Sequence, residues 1–160
     1  MAARHTMPTI REAASAAERA AAFALRLRVF CDEQGVDRAL EIDAHDASAQ
    51  HLVAVEGGRV VATLRWRKLA GTAWVKIERV AVAREARGRG LGAMLMRHVL
   101  DRLDALPEIA ATVLHAQTSA MPFYERLGYI AEGRPFDEAG IEHVRMRRPR
   151  GGCRPGSSSG

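Results

Sequence analysis

Between Arg87 and Gly92 the chain reads Arg-Gly-Arg-Gly-Leu-Gly, a basic glycine turn that follows a strand-like run and opens a helical one. Glycine lets a backbone approach an oxyanion closely, and the first amides of a helix point outward with the positive end of its dipole. Such a turn suits a phosphate group. It is not a P-loop, because no Gly-Lys-Ser/Thr follows, and it lacks the third glycine of the dinucleotide fingerprint. Taken by itself, it would also fit a flexible basic loop without a ligand. The cysteines, Cys31 and Cys153, stand far apart with no Cys-x-x-Cys spacing, so neither a disulfide framework nor a zinc site is suggested and no metal is expected. A nucleophilic Cys31 competes with the more common small buried thiol.

The elements around this turn can be read from periodicity. Thr9, Ile10 and Arg11 make a short strand-like opening. Ser15 stands three residues before Glu18, the spacing of a capping box, which predicts a helix from Ala16 with an apolar stripe of Ala17, Ala20, Ala21, Ala24 and Leu25. The chain then passes through Leu27, Val29 and Phe30 to a break at Gly35. Residues 32–49 are acidic and weakly periodic, a loop with or without a short second helix. Three strand-like runs follow at 50–56, 59–68 and 74–83, with turns at Gly57-Gly58 and Gly71, and predict an antiparallel meander. In the third run the inward positions Val75 and Ile77 give way to Val80 and Val82. The slip across Glu78 and Arg79 fits a β-bulge, and equally a strand that exposes two charges. After the glycine turn, Leu91, Met94, Leu95, His98, Val99, Leu103 and Leu106 recur at helical spacing up to Pro107. A strand at 111–117 leads to a helix capped by Thr118 or Ser119 and ended by Gly128, then to strands at 129–136 and 141–147.

With 160 residues, 48% of them hydrophobic, the chain can bury one core, so a single domain over residues 1–148 is expected. Residues 149–160 are basic and rich in glycine and serine, and are expected to be a disordered tail. No apolar run approaches the roughly 20 residues of a membrane span, and residues 1–10 hold no apolar signal core. A cytoplasmic protein without membrane contact is expected. The formal charge of +5 suits an anionic partner, but much of it lies near the C-terminus. A nucleic-acid reading through that tail finds no stacking platform in a chain with 5% aromatics.

Three motifs in order, Val80-Ala-Val82, Arg87-x-x-Gly90-x-Gly92 and Phe123-Tyr-Glu-Arg-Leu-Gly-Tyr129, resemble the signatures of the GNAT acyltransferases over most of the chain. Arg28-Val-Phe-x-x-Glu33-Gln34, Asp43-x-x-Asp46, His51-Leu, Leu114-His-Ala-Gln117 and Glu138-x-Gly-Ile-x-His143 are similar to its ElaA-like and YjcF-like branch. The resemblance implies an α/β (α+β) fold: a mixed, mostly antiparallel central sheet with helices on both faces and a splayed strand pair holding the cofactor. It implies acetyl-CoA as co-substrate and direct transfer of the acetyl group to a primary amine of a small molecule or peptide, through a ternary complex. The pantetheine arm would run beside Val80, Ala81 and Val82 like an added strand, and Arg87, Gly88, Arg89, Gly90, Leu91 and Gly92 would hold the pyrophosphate. Many relatives carry Asn where this chain has Gln117, which puts a side-chain bond to the cofactor there in question.

The implied chemistry needs a neutral amine, a donor for the developing oxyanion and a proton for the departing thiolate. Tyr124 is the implied acid, with a core tyrosine as the competing reading, and the Val80 amide is the oxyanion donor. Glu78, at the slip in its strand, and His115, on the facing strand, are rival bases, each with an ordinary structural alternative. Glu33, Gln34, His51, Glu138 and His143 are expected at the acceptor pocket, together with Asp43 and Asp46, for which loop capping is an equal alternative. A catalytically silent CoA-binding sensor or assembly module stays open as another class of function, and a homodimer is expected on general grounds.

Overall fold

The computed structural model describes residues 6–152. The strands are β1 (Thr9–Glu12), β2 (Gln50–Glu56), β3 (Arg59–Lys68), β4 (Trp74–Val82), β5 (Ala111–Gln117), β6 (Ile130–Glu138) and β7 (Ile141–Pro149). The α-helices are α1 (Ala16–Arg26), α2 (Arg38–Glu41), α3 (Leu91–Asp104) and α4 (Met121–Glu125). The strands form one seven-stranded sheet in the order β1-β2-β3-β4-β5-β7-β6. β4 and β5 pair parallel, whereas β1–β2, β2–β3, β5–β7 and β6–β7 pair antiparallel. The expected mixed, mostly antiparallel sheet is therefore present. The chain divides into two compact units, the first comprising residues up to Trp66 with Arg79–Val99, the second Arg67–Glu78 with the residues from Leu100 onward. Among the described residues no helix is long and apolar enough to cross a membrane.

In the first unit, α1 begins where the capping spacing puts it. Ser15 Oγ accepts from the Glu18 amide at 3.1 Å, while the Glu18 carboxylate accepts from the Ala14 amide at 3.2 Å, one residue earlier than a reciprocal capping box would have it. The buried face of α1 differs from the expected stripe: Ala22, Leu25 and Arg26 are buried, and Ala17, Ala20 and Ala24 are exposed. A run of alanines has little contrast around the helix, and the residue that fixes its rotation is a buried arginine. The chain continues as a π-helical segment, Leu27–Glu33, and leaves it at Gly35, whose φ is +74°. The acidic stretch forms α2 and a 3₁₀ turn, Ala44–Ala47.

Arg79 adopts φ +59°, so the irregularity in β4 falls where the pattern slips. The fully buried positions beyond it are nevertheless Ala81 and Ala83, whereas Val80 and Val82 are only half-buried. A left-handed residue re-aims the side chains that follow it, so bulk no longer tells which positions are covered. In α3, Met96 and Leu100 are buried, while Met94 is half-buried and His98 is exposed.

In the second unit, β5 and β7 pair along their whole length, from Ala111↔Pro149 to Gln117↔His143. β6 and β7 form a hairpin through Ala139 and Gly140, at φ +53° and +82°, the positive pair that a tight hairpin turn requires. Tyr129, expected to open β6, is instead a buried residue ahead of it, with its hydroxyl 2.6 Å from Thr112 Oγ1. A 3₁₀ turn, Thr118–Ala120, precedes α4, whose N-cap is Ala120 with no side-chain bond, so neither Thr118 nor Ser119 caps it. Pro122 lacks an N–H and removes one donor that a cap would serve. Order extends past the expected boundary at Arg148. The Arg150 amide donates to Ala110 O and the Gly151 amide to Asp104 Oδ1, each at 2.9 Å, and Arg148 holds the same Asp104 at 2.9 and 3.0 Å. Residues 153–160 of the expected tail lie outside the described residues.

Candidate active site

The glycine turn lies wholly in the first unit. After β4, a 3₁₀ turn, Arg84–Ala86, brings the chain to Arg87 in an extended conformation. Gly88 and Gly90 then take φ +79° and +76°. An added Cβ at either would meet nothing within 4 Å, so glycine is required here by conformation and leaves open space in front of the turn. The first helical bond of α3 runs from the Met94 amide to Gly90 O at 3.0 Å. The amides of Leu91, Gly92 and Ala93 thus have no acceptor within the helix. Two carboxylates cover the arginines: Glu33 accepts from Arg87 at 2.7 and 3.0 Å, and Glu56 accepts from Arg89 at 3.0 Å. Glu33, expected at the acceptor pocket, is thereby bound to the turn itself.

The acidic segment of the same unit gathers three arginines from α1, β3 and β4. Arg26, fully buried, donates to Glu41 Oε1 at 2.9 Å and to Asp46 at 2.6 and 3.1 Å. Arg65 donates to Asp43 at 2.7 and 2.9 Å and to Asp46 at 2.9 Å, and Arg79 lies 3.2 Å from Glu41 Oε2 and 3.3 Å from Asp43 Oδ2. Burial pushes the carboxyls of Asp43 and Asp46 up, but the hydrogen bonds from these arginines outweigh it and hold both well below the usual range. At Glu41 burial prevails, and its carboxyl is pushed up despite Arg79 and Arg26. Asp43 also caps the 3₁₀ turn, so the capping alternative for this pair holds together with a second role, anchoring arginines. His51 is 5% exposed, packs edge-on against Phe23 and has Nε2 2.8 Å from Asp46 O. Its ring is committed to the interior.

In the second unit, β5, β6 and β7 bring together His115, Glu138 and His143, two of them expected at the acceptor pocket and one as a base. His115 Nδ1 is 3.1 Å from Glu138 Oε1, and His143 Nε2 is 3.7 Å from Glu138 Oε2. Phe136 packs edge-on to His115 and stacks on His143. The hydrogen bond from His115 is the main reason that the Glu138 carboxyl lies below its ordinary range. Glu78 is bound by Arg67 at 3.2 and 3.3 Å and by Lys76 at 3.0 Å. Tyr124, on α4, packs edge-on against Phe123 and Tyr129. Desolvation pushes its phenol up to about 12. Gln117 ends β5 opposite His143, and Gln34 follows the π-helical segment as its C-cap.

Sequence reasoning missed Arg26, Arg65, Glu41 and Phe136. For Arg65 a signal existed, since it stands between Leu64 and Trp66 in a run where all three positions are buried. Among the described residues no group of three or more His, Cys, Asp or Glu side chains could hold a metal ion. Cys31 is part-exposed, and its thiol is pushed up, mainly by desolvation, the opposite of what an activated nucleophile needs.

A model of the GNAT acetyltransferase domain matches residues 12–149, and the chain belongs to that family. Over 128 residues it is 35% identical to the uncharacterized N-acetyltransferase YjcF of Bacillus subtilis (strain 168), covering 79% of this chain and 89% of that protein. The crystal structure of Escherichia coli ElaA is similar with a TM-score of 0.79 and 27% identity, over 89% of this chain and 99% of that one. That of an acyl-CoA N-acyltransferase from Pseudomonas aeruginosa gives 0.77 and 30%, over 88% and 97%. The protein is therefore an enzyme of the acyltransferase class.

Proposed function

We propose that the protein transfers the acetyl group of acetyl-CoA directly to a primary amine of a small molecule or peptide, in the cytoplasm, through a ternary complex of a single domain that ends near Arg148. The observation that carries this reading is the turn at Gly88 and Gly90, with its positive φ values, its open front and the first-turn amides of α3 that have no acceptor within the helix. In this reading those amides take the pyrophosphate. The pantetheine arm lies along Val80, Ala81 and Val82 like an added strand. Gln117 and Tyr124 flank the thioester, and Tyr124, which keeps its proton at neutral pH, protonates the departing sulfur.

Of the two base candidates, pairing favours His115. The Glu78 carboxylate is engaged by Arg67 and Lys76, whereas Glu138 orients His115 through Nδ1, leaving Nε2 for the amine proton. Glu138 and His143 then line the acceptor side. His115→Ala should lower kcat about 10²-fold or more, while Glu78→Gln should change it far less. A pH–rate profile of Glu78→Gln that loses its base limb would reverse the assignment.

Calorimetric titration with acetyl-CoA tests the whole reading. Wild type should bind saturably, and the pair of substitutions Gly90→Glu and Gly92→Glu should abolish binding, because a carboxylate would then occupy the anion's place and Gly90 would be forced off its φ. Well-folded wild type without binding would overturn it.

A further inference from the structure

Apart from Ala139 in a hairpin turn, Arg79 is the only described non-glycine residue with positive φ, and it stands inside a strand. A left-handed arginine persists only where its surroundings over-determine it. Here the surroundings are specific. Its guanidinium reaches Glu41 Oε2 at 3.2 Å, Asp43 Oδ2 at 3.3 Å and the carbonyls of Glu41 and Leu40 at 3.4 Å. The two carboxylates are themselves fixed, Glu41 by Arg26 and Asp43 by Arg65. All these residues belong to the first unit. Each carboxylate of the bracket thus has a second arginine to hold it besides Arg79, and the next peptide in the chain belongs to Val80.

We propose that the acidic bracket of Glu41 and Asp43 holds Arg79 in its left-handed conformation and thereby aims the Val80 amide at the thioester carbonyl, making Arg79 a positioning residue for acyl transfer. The proposal rests on the acetyl-CoA reading above. Its logic is conformational: the bracket is needed because arginine disfavours this φ, and glycine, which does not, should manage without it.

The test compares binding of acetyl-CoA with that of S-ethyl-CoA, a thioether without the carbonyl oxygen, in wild type, Arg79→Ala and Arg79→Gly. Wild type should prefer acetyl-CoA by about three- to tenfold, the worth of one net hydrogen bond. Arg79→Ala should bring the ratio towards one, and Arg79→Gly should recover most of it. Glu41→Gln, which keeps its volume, should lower the ratio when Arg79 is present and leave it unchanged beside Arg79→Gly; this cycle also serves if Arg79→Ala fails to fold. A wild-type ratio in Arg79→Ala, or an equal loss in Arg79→Gly and Arg79→Ala, would overturn the proposal. So would equal binding of both ligands by wild type, with the cofactor reading intact; only wild type that binds neither would remove that reading as well.

Discussion

Replacing Asp46 by alanine should destabilise the protein by about 3–5 kcal/mol, the range for stripping one partner from a buried, hydrogen-bonded ion pair. Asp46 takes bonds from Arg26 and Arg65, two guanidiniums that are both buried, and alanine would leave each short of an acceptor in a place that water reaches poorly. The shift in urea midpoint measures the effect. A loss below about 1 kcal/mol would put the network on a par with exposed surface pairs. The pH dependence follows from the directions of the shifts. Asp43 and Asp46 have folded-state values below the unfolded one, so their contribution is complete above about pH 4 and is lost as pH falls through the folded values. Glu41 is shifted up and works in the opposite sense, its ionised form being penalised as pH rises. The gap between wild type and Asp46→Ala should therefore close on acidification below about pH 4.

Tyr124→Phe should lower kcat by about 10²–10⁴-fold with acetyl-CoA binding unchanged. Phenylalanine preserves the edge-on packing against Phe123 and Tyr129 and deletes only the hydroxyl, whose high pKa keeps it a donor throughout the neutral range. Single-turnover release of free thiol is the measurement that isolates the step. Unchanged turnover would make Tyr124 a packing residue and leave the sulfur to water.

Much of the fold could be read in the sequence, for reasons that can be named residue by residue. β2 and β3 match their expected spans because Gly57-Gly58 fixes the turn between two runs of strand formers. α1 starts at Ala16 because Ser15 and Glu18 satisfy local donors, a matter of four residues and no tertiary context. Its rotation was not readable, since it is set by Arg26 meeting Glu41 and Asp46, fifteen and twenty positions away. At the site, the glycine turn was legible because positive φ values write themselves as glycine. The partners of its arginines were not: Glu33 and Glu56 are far away in sequence, and a carboxylate carries no mark of the cation it will meet. Likewise the bonds that Arg67 and Lys76 make to Glu78 leave no mark in the pattern of the strand.

The carboxylates over Arg87 and Arg89 bear on how binding should respond to ionic strength. A pyrophosphate recruiting these side chains would replace Glu33 and Glu56, an exchange of one set of oxyanions for another instead of the neutralisation of bare charge. Few counter-ions are then released. The net charge of +5 overstates the electrostatic pull on the ligand, and added salt, which screens the pairs that form and those that break, has correspondingly little net work to do.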